Sequence, residues 1–324
     1  MNNYLVLSTQ DKLRRTASLW NGLAQTATVT IRKFGGEGNP SLSSLAAELV
    51  DHHYDRVIFD ANIRRTGKEI FSLRNIPQLV LYEYDFCQNY QPESDYYHLY
   101  KVILKQLGEH RIIVSGAAIA DDLRKEGFCA SFVPKFYDCD KVYCMNQARD
   151  IEIAFVGRTK HKVYKKRREL LNRIVDQLGA QLLRTEEGKE YSDALNRIQF
   201  FISADIGLNE FMIKNFEAMA AGCVLCAYLA SEKDATELGF EDMENVVFYK
   251  SIEELASKLH LLRTEPDLAR NIAEKGRELA EQKHSWKARI GTMSQILKEP
   301  LHRTPPMTLM DHLLNLKLRL TLAL

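Results

Sequence analysis

Two sets of short apolar runs, most of them separated by amphipathic stretches of helical length, leave this chain few folds to adopt. In the first set "NYLVLS", "ATVTIRKF", "RVIFDA", "PQLVLYEYD", "RIIVSG" and "CASFVP" read as strands. Between them "TQDKLRRTASLWNGLA", "NPSLSSLAAELVDHH", "ESDYYHLYKVILKQLGE" and "AAIADDLRKEG" read as helices. Leu13, Ala17 and Trp20 stand at helical spacing, and Pro40 and Ser41 mark a helix start. Strands alternating with helices of this length predict a parallel sheet covered by helices on both faces. The pattern pauses over "KFYDCDKVYCMNQARD" and restarts at "IEIAFVGR". A helix over 161–178, the strand "AQLLRT", a short helix over 190–197, the strand "QFFIS", a helix over 210–221 and the strands "CVLCAY" and "NVVFY" follow. Three helical stretches come after Ser251. At 324 residues the chain is long for a single core. The expectation is α/β: two doubly wound domains, 1–140 and 141–300, then a tail over 301–324.

The 44 basic and 43 acidic side chains leave a formal net charge of +1, which argues against a nucleic-acid partner. The opening "MNNYLVLSTQDKLRR" has no basic region followed by a long apolar one, so no secretory signal is expected. No run approaches the roughly 18 apolar residues of a membrane span. Cys87, Cys129, Cys139, Cys144, Cys223 and Cys226 do not cluster like zinc ligands. Cys223 and Cys226, inside "CVLCAY", would point to opposite faces of a strand, as core thiols in a reducing compartment. The expected location is the cytoplasm, with a peripheral position at the inner face of the membrane as a second option.

In open parallel sheets ligands lie beyond the carboxyl ends of the strands. That rule selects Ser8, Asp60, Asp85, Ser115, Gly157, Arg158, the run from Ser203 to Asn209, and the run from Ala230 to Glu237. One stretch, "ADIGLNEFMIKNFEAMAAGCVLCAY", concentrates polar groups ahead of a buried strand. Asn209 is a candidate N-cap and Gly222 a candidate C′ residue for the helix over 210–221, with Phe211, Phe216, Met219 and Ala220 on its apolar side. Glu210 suits the first turn through the helix dipole. Glu217 lies mid-helix between Phe216 and Ala218, where a carboxylate needs solvent or a partner. Its two readings are a solvated face and an acceptor for the vicinal hydroxyls of a sugar.

The run "KNFEAMAAG" resembles the core motif of group 1 glycosyltransferases of the GT-B fold, in which two Rossmann-like domains face an interdomain cleft. It looks most like the spore-maturation-type branch, which has a basic residue three positions before the glutamate, here Lys214. The resemblance runs from about Ile151 to Arg289, taking in "IEIAFVGR" and the closing helices from "NVVFYKSIEELA" on; the N-terminal half matches in pattern alone. It implies that Glu217 holds the ribose of a nucleotide-sugar donor. Eight residues earlier, where the family has a glutamate near the donor sugar, this chain has Asn209, with Glu210 one position out of register. Arg158 matches the family's phosphate-binding arginine after the glycine, Gly157. A second basic residue is Lys160, Lys162 or Lys165, and Lys214 would face the same diphosphate. Glu237 matches a further acid loosely.

The implied chemistry is transfer of a sugar from a nucleotide-diphospho-sugar to an acceptor hydroxyl, in surface glycan or glycoconjugate assembly. No metal and no cofactor beyond that co-substrate is expected, since basic residues take the cation's role and no Asp-x-Asp triplet is present. Asp85 is the candidate catalytic group of the N-terminal acceptor domain, with Asp60 behind it. The acceptor would be a glycan, a lipid-linked molecule or a protein. Two competing readings are a GT-B nucleotide-sugar epimerase and a non-catalytic scaffold that binds a partner protein. In the tail, "LKLRLTLAL" alternates like a half-buried strand, while Leu309, Met310, Leu313 and Leu314 fit a helix. Its expected roles are docking on the N-terminal domain, self-association or contact with a membrane surface.

Overall fold

The computed structural model describes every residue except 52, 209 and 324. It contains two parallel sheets with helices between their strands. The strands are β1 (Asn3–Ser8), β2 (Thr28–Lys33), β3 (Arg56–Asp60), β4 (Leu79–Glu83), β5 (His110–Val114), β6 (Ala130–Phe132), β7 (Ile151–Val156), β8 (Gln181–Leu183), β9 (Ile198–Ser203), β10 (Val224–Tyr228) and β11 (Val247–Tyr249). The chain divides into two compact units, Met1–Pro134 with Ile290–Leu324, and Lys135–Arg289.

In the first unit the strand order is β2-β1-β3-β4-β5-β6. β4, "LVLYE", is buried at every position, as a strand covered on both faces must be. β2 at the edge carries Thr28, Thr30 and Lys33 exposed. The core gathers Leu5, Leu7, Phe59, Leu81, Tyr100 and Ile112. Helix starts follow local chemistry. The Thr9 side chain accepts from the Lys12 amide ahead of helix Gln10–Leu23, and Ser41 accepts from the Ser44 amide ahead of Leu42–Glu48. The expected long helix "ESDYYHLYKVILKQLGE" is shortened to Leu99–Lys105. His98 sits in a left-handed conformation, and Asn89 Oδ1 accepts the Tyr100 amide at 3.1 Å, so the helix begins only there.

The second unit has the order β11-β10-β9-β7-β8, the same winding as the first five strands of its neighbour in sequence. Phe155, Phe200, Ile202, Tyr249, Leu255 and Ile272 are in its core. Cys226 joins that core and Cys223 Sγ contacts the Leu195 carbonyl at 3.1 Å; both are thiols outside any disulfide, as are the other four. The helix expected over 161–178 starts with a 3-10 turn, Lys162–Tyr164, and is α-helical over Lys165–Leu178.

The tail departs from the strand reading of "LKLRLTLAL": it is helical over Leu309–Ala323. Leu318 and Leu322 within the alternating run, and Leu314 just ahead of it, recur every fourth residue, so the same sequence offers a helix one apolar face. That face packs on the core of the first unit, and Leu318 is fully buried. Asp311 pairs with Lys105 at 2.7 Å, and Gln106 Nε2 donates to Asn315 Oδ1 at 3.2 Å.

Candidate functional site

In the second unit β7 lies between β8 and β9, so the winding direction reverses between β7 and β9. A crevice opens beyond the carboxyl ends of strands at such a point. Gly157 and Arg158 leave β7 there, and residues 204–212 lead from β9 to the helix Ile213–Ala220.

Asp205 organises that connection. Its Oδ2 accepts from the Met212 amide at 3.0 Å, from Asn215 Nδ2 at 2.7 Å and from Ser203 Oγ at 3.1 Å. Its Oδ1 pairs with Arg167 Nη2 at 2.8 Å, while Arg167 Nε donates to the Ala204 carbonyl at 3.1 Å. Met212 is thereby the N-cap, and the helix expected over 210–221 starts at Ile213 instead. The Asp205 carboxylate engages the cap residue and the first turn, the work the sequence reading assigned to Asn209. Asn209 itself lies outside the described residues.

The helix turns Lys214 and Glu217 to its half-exposed side. Tyr191, from helix Lys189–Arg197, donates its hydroxyl to Glu217 Oε2 at 2.5 Å. Lys214 Nζ sits 4.4 Å over the Tyr191 ring and 3.4 Å from its oxygen. Burial, and then the Glu217 charge, push the Tyr191 phenol well above its ordinary pKa, which keeps it a proton donor. A carboxylate accepts about four hydrogen bonds, so Glu217 retains capacity for hydroxyl donors. Gly157 brings the end of β7 close to this group: a Cβ there would meet Lys214 Cε at 3.0 Å. Three residues singled out from the sequence, Gly157, Lys214 and Glu217, therefore come together.

The others are placed differently. Arg158 and Lys162 are exposed in the segment after β7. Glu210 is 1% exposed and pairs at 2.9 Å with Lys135, itself 3% exposed. Glu237 is exposed on helix Glu232–Leu238 and pairs with Lys233 at 3.7 Å. Asp205 lies in the selected run from Ser203 to Asn209, but the sequence reading assigns it no role of its own. Tyr191 and Arg167 are not singled out there: Tyr191 carries no local signal, and Arg167 stands in a run of cations. Among the described residues no three His, Cys, Asp or Glu side chains converge as a metal site requires.

Behind this group the helix ends in a tight reversal. The Gly222 amide donates to the Met219 carbonyl at 2.8 Å and the Cys223 amide to Ala218 at 3.0 Å, with Gly222 at φ +80°. A Cβ on Gly222 would stand 2.8 Å from Arg149 Nη2. Gly222→Ala is therefore expected to cost about 1–2 kcal/mol from the left-handed backbone alone, read as a lower thermal midpoint of the purified protein.

The first unit collects carboxylates at its own reversal, between β1 and β3. Asp60 is fully buried, accepting from Thr16 Oγ1 at 2.5 Å and Trp20 Nε1 at 2.7 Å, with Lys12 Nζ at 3.7 Å. It fastens the helix Gln10–Leu23 to the sheet. Asp85 is half-buried after β4 and accepts from Asn62 Nδ2 at 2.6 Å. Glu83, unremarked in the sequence, accepts the Ile63 and Asp85 amides at 2.8 Å each. Burial and then the Asp85 charge raise the Glu83 carboxyl to about 7. A raised carboxyl favours the fold while protonated, so its contribution is present below 4.5, the ordinary value, and is lost as the pH rises through about 7. Asp85→Asn removes the Coulombic cause and is expected to shrink that loss. Thermal midpoints taken at about pH 5 and about pH 8 should lie closer together in the variant; an unchanged gap would contradict the coupling.

Residues 145–295 match the family model described as glycosyl transferase-like. Sucrose-phosphate synthase from Thermosynechococcus elongatus superposes with a TM-score of 0.66 at 14% identity, covering 91% of this chain and 98% of that one. HepE from Anabaena in complex with UDP gives 0.62 at 13% identity, covering 92% and 99%. A glycosyltransferase from Rickettsia africae gives 0.59 at 11%, covering 92% and 98%. Among curated proteins none matches the chain in sequence. The fold is the expected one, two parallel-sheet Rossmann-like domains shared with GT-B glycosyltransferases.

Proposed function

We propose that this chain transfers a sugar from a nucleotide-diphospho-sugar to an acceptor hydroxyl, with the donor held in the glycosyltransferase-like domain. The observation that carries this reading is the group Lys214–Tyr191–Glu217 at the reversal between β7 and β9. Glu217, oriented by Tyr191, accepts the vicinal hydroxyls of the ribose. Lys214, with Arg158 and Lys162 from the segment after β7, meets the diphosphate, whose negative charge grows as it leaves. Gly157 lets that segment approach the ligand. These cations stand in for a metal ion, and no other cofactor is invoked. Asn209 contacts the donor sugar, and Glu210, fixed by Lys135, supports the loop that carries it. Asp85 is the catalytic group in the first unit, taking the acceptor's proton. The acceptor belongs to surface glycan or glycoconjugate assembly, and Lys214 ahead of Glu217 favours the spore-maturation-type branch.

The test is thermal stability against a panel of nucleoside diphosphates and their sugars, beginning with UDP and UDP-glucose because HepE is described with both. A ligand at about 100 times its dissociation constant adds roughly 2.7 kcal/mol to a fold that alone binds it. Stabilisation by one nucleotide, then loss of donor in the presence of acceptor, is the expected result. Conversion of donor without acceptor would replace transfer by epimerisation. Binding without conversion, with a copurifying protein, would make the chain a scaffold. No stabilisation by any nucleotide would overturn the donor site.

A further inference from the structure

The tail helix Leu309–Ala323 carries a second apolar face that the fold leaves open. While Leu314, Leu318 and Leu322 pack on the first unit, Leu309 is 79% exposed, Leu313 56%, Leu316 63% and Leu320 71%, with Met310 at 62% beside them. At about 100° per residue, these four leucines fall within a stripe of roughly 60° on the side opposite Leu318. Five of the ten large hydrophobic side chains exposed among the described residues thus lie on one short helix.

The charges around the stripe are all of one sign. Lys317 flanks it on one side and Arg319 on the other; both are exposed. Arg303, just upstream, is exposed too. The only acid in residues 301–324, Asp311, is turned inward and consumed by Lys105 at 2.7 Å. Lys317 Nζ reaches the Tyr97 carbonyl at 3.5 Å, a contact weak enough to release.

We propose that this face docks on an anionic lipid surface, with the helix lying in the plane of the interface. The leucines enter the acyl boundary while Lys317 and Arg319 reach up to lipid phosphates, as long cationic side chains flanking an apolar stripe do. The charge pattern favours this occupant over a second copy of the chain, because pairing two such stripes would bring their cations together. Spanning the bilayer is not an alternative: no helix among the described residues is long and apolar enough to cross a membrane. The inference stands independently of the donor site, and its test involves no nucleotide.

The full chain would be sedimented with vesicles of phosphatidylcholine mixed with phosphatidylglycerol, and with vesicles of phosphatidylcholine alone. Binding to the anionic vesicles, much weaker on the neutral ones, is expected. Replacing Leu313, Leu316 and Leu320 by serine should reduce it by about tenfold or more. Lys317→Gln with Arg319→Gln should reduce it roughly thirtyfold. All five side chains are exposed, so thermal midpoints of both variants should match the parent. No binding to anionic vesicles, or binding untouched by the serine variant, would overturn the proposal. A concentration-dependent dimer abolished by the serine variant, without vesicle binding, would assign the face to self-association instead.

Discussion

Glu217→Ala is expected to leave the fold intact and to weaken nucleotide binding roughly thirty- to a hundredfold, the equivalent of about 2–3 kcal/mol for hydrogen bonds to a charged group. The side chain is half-exposed on a helix whose packing depends on Asn215, Phe216, Ala218, Met219 and Ala220, so truncation opens no cavity. What disappears is the acceptor pair that Tyr191 orients. Isothermal titration with the nucleotide that stabilises the parent reads the effect. Tyr191→Phe should weaken binding less, since it removes the orientation and leaves the carboxylate. If Glu217→Ala binds as the parent does, the ribose contact lies elsewhere and the solvated-face reading of Glu217 holds.

A larger effect on stability is expected at the pair beneath the site. Arg167 and Asp205 are both buried and 2.8 Å apart, and Asp205 also holds Met212, Asn215 and Ser203. Removing one partner of a buried ion pair leaves the other charge uncompensated, at a cost of about 3–5 kcal/mol. For a domain of this size the thermal midpoint falls on the order of 10 °C. Arg167→Ala should show that drop in calorimetry. Adding Asp205→Asn should recover part of it, because no orphan charge then remains. Additive losses in the double variant would mean that the pair is not coupled.

Both effects arise from residues that differ in how legible they are. The glutamate of "KNFEAMAAG" stands out by its place mid-helix between apolar residues, the lysine ahead of it only through the motif's resemblance to group 1 glycosyltransferases, and Gly157 by its position at the end of an apolar strand. Arg167 sits within "KKRR", where a run of cations reads as a solvated face; its burial depends on the acid that follows β9, 38 positions away. Glu210, one position out of register with the motif, lies in the interior against Lys135, which the sequence gives no means of foreseeing. Helix starts illustrate the same limit. Thr9 and Ser41 cap from within their own helix ends, whereas the start of Ile213–Ala220 is set by Asp205 through a loop.

By itself the sequence determined the two-fold alternation and the buried strands, because hydrophobic period is a local property. Only the tertiary structure decided three things: which acid fixes the start of the helix Ile213–Ala220, which cation is withdrawn into the core, and that "LKLRLTLAL" is helical. In the last case the physical reason is plain. Leucine at every second position also stands at every fourth, so strand and helix share the pattern, and the groove that accepts Leu314, Leu318 and Leu322 selects between them.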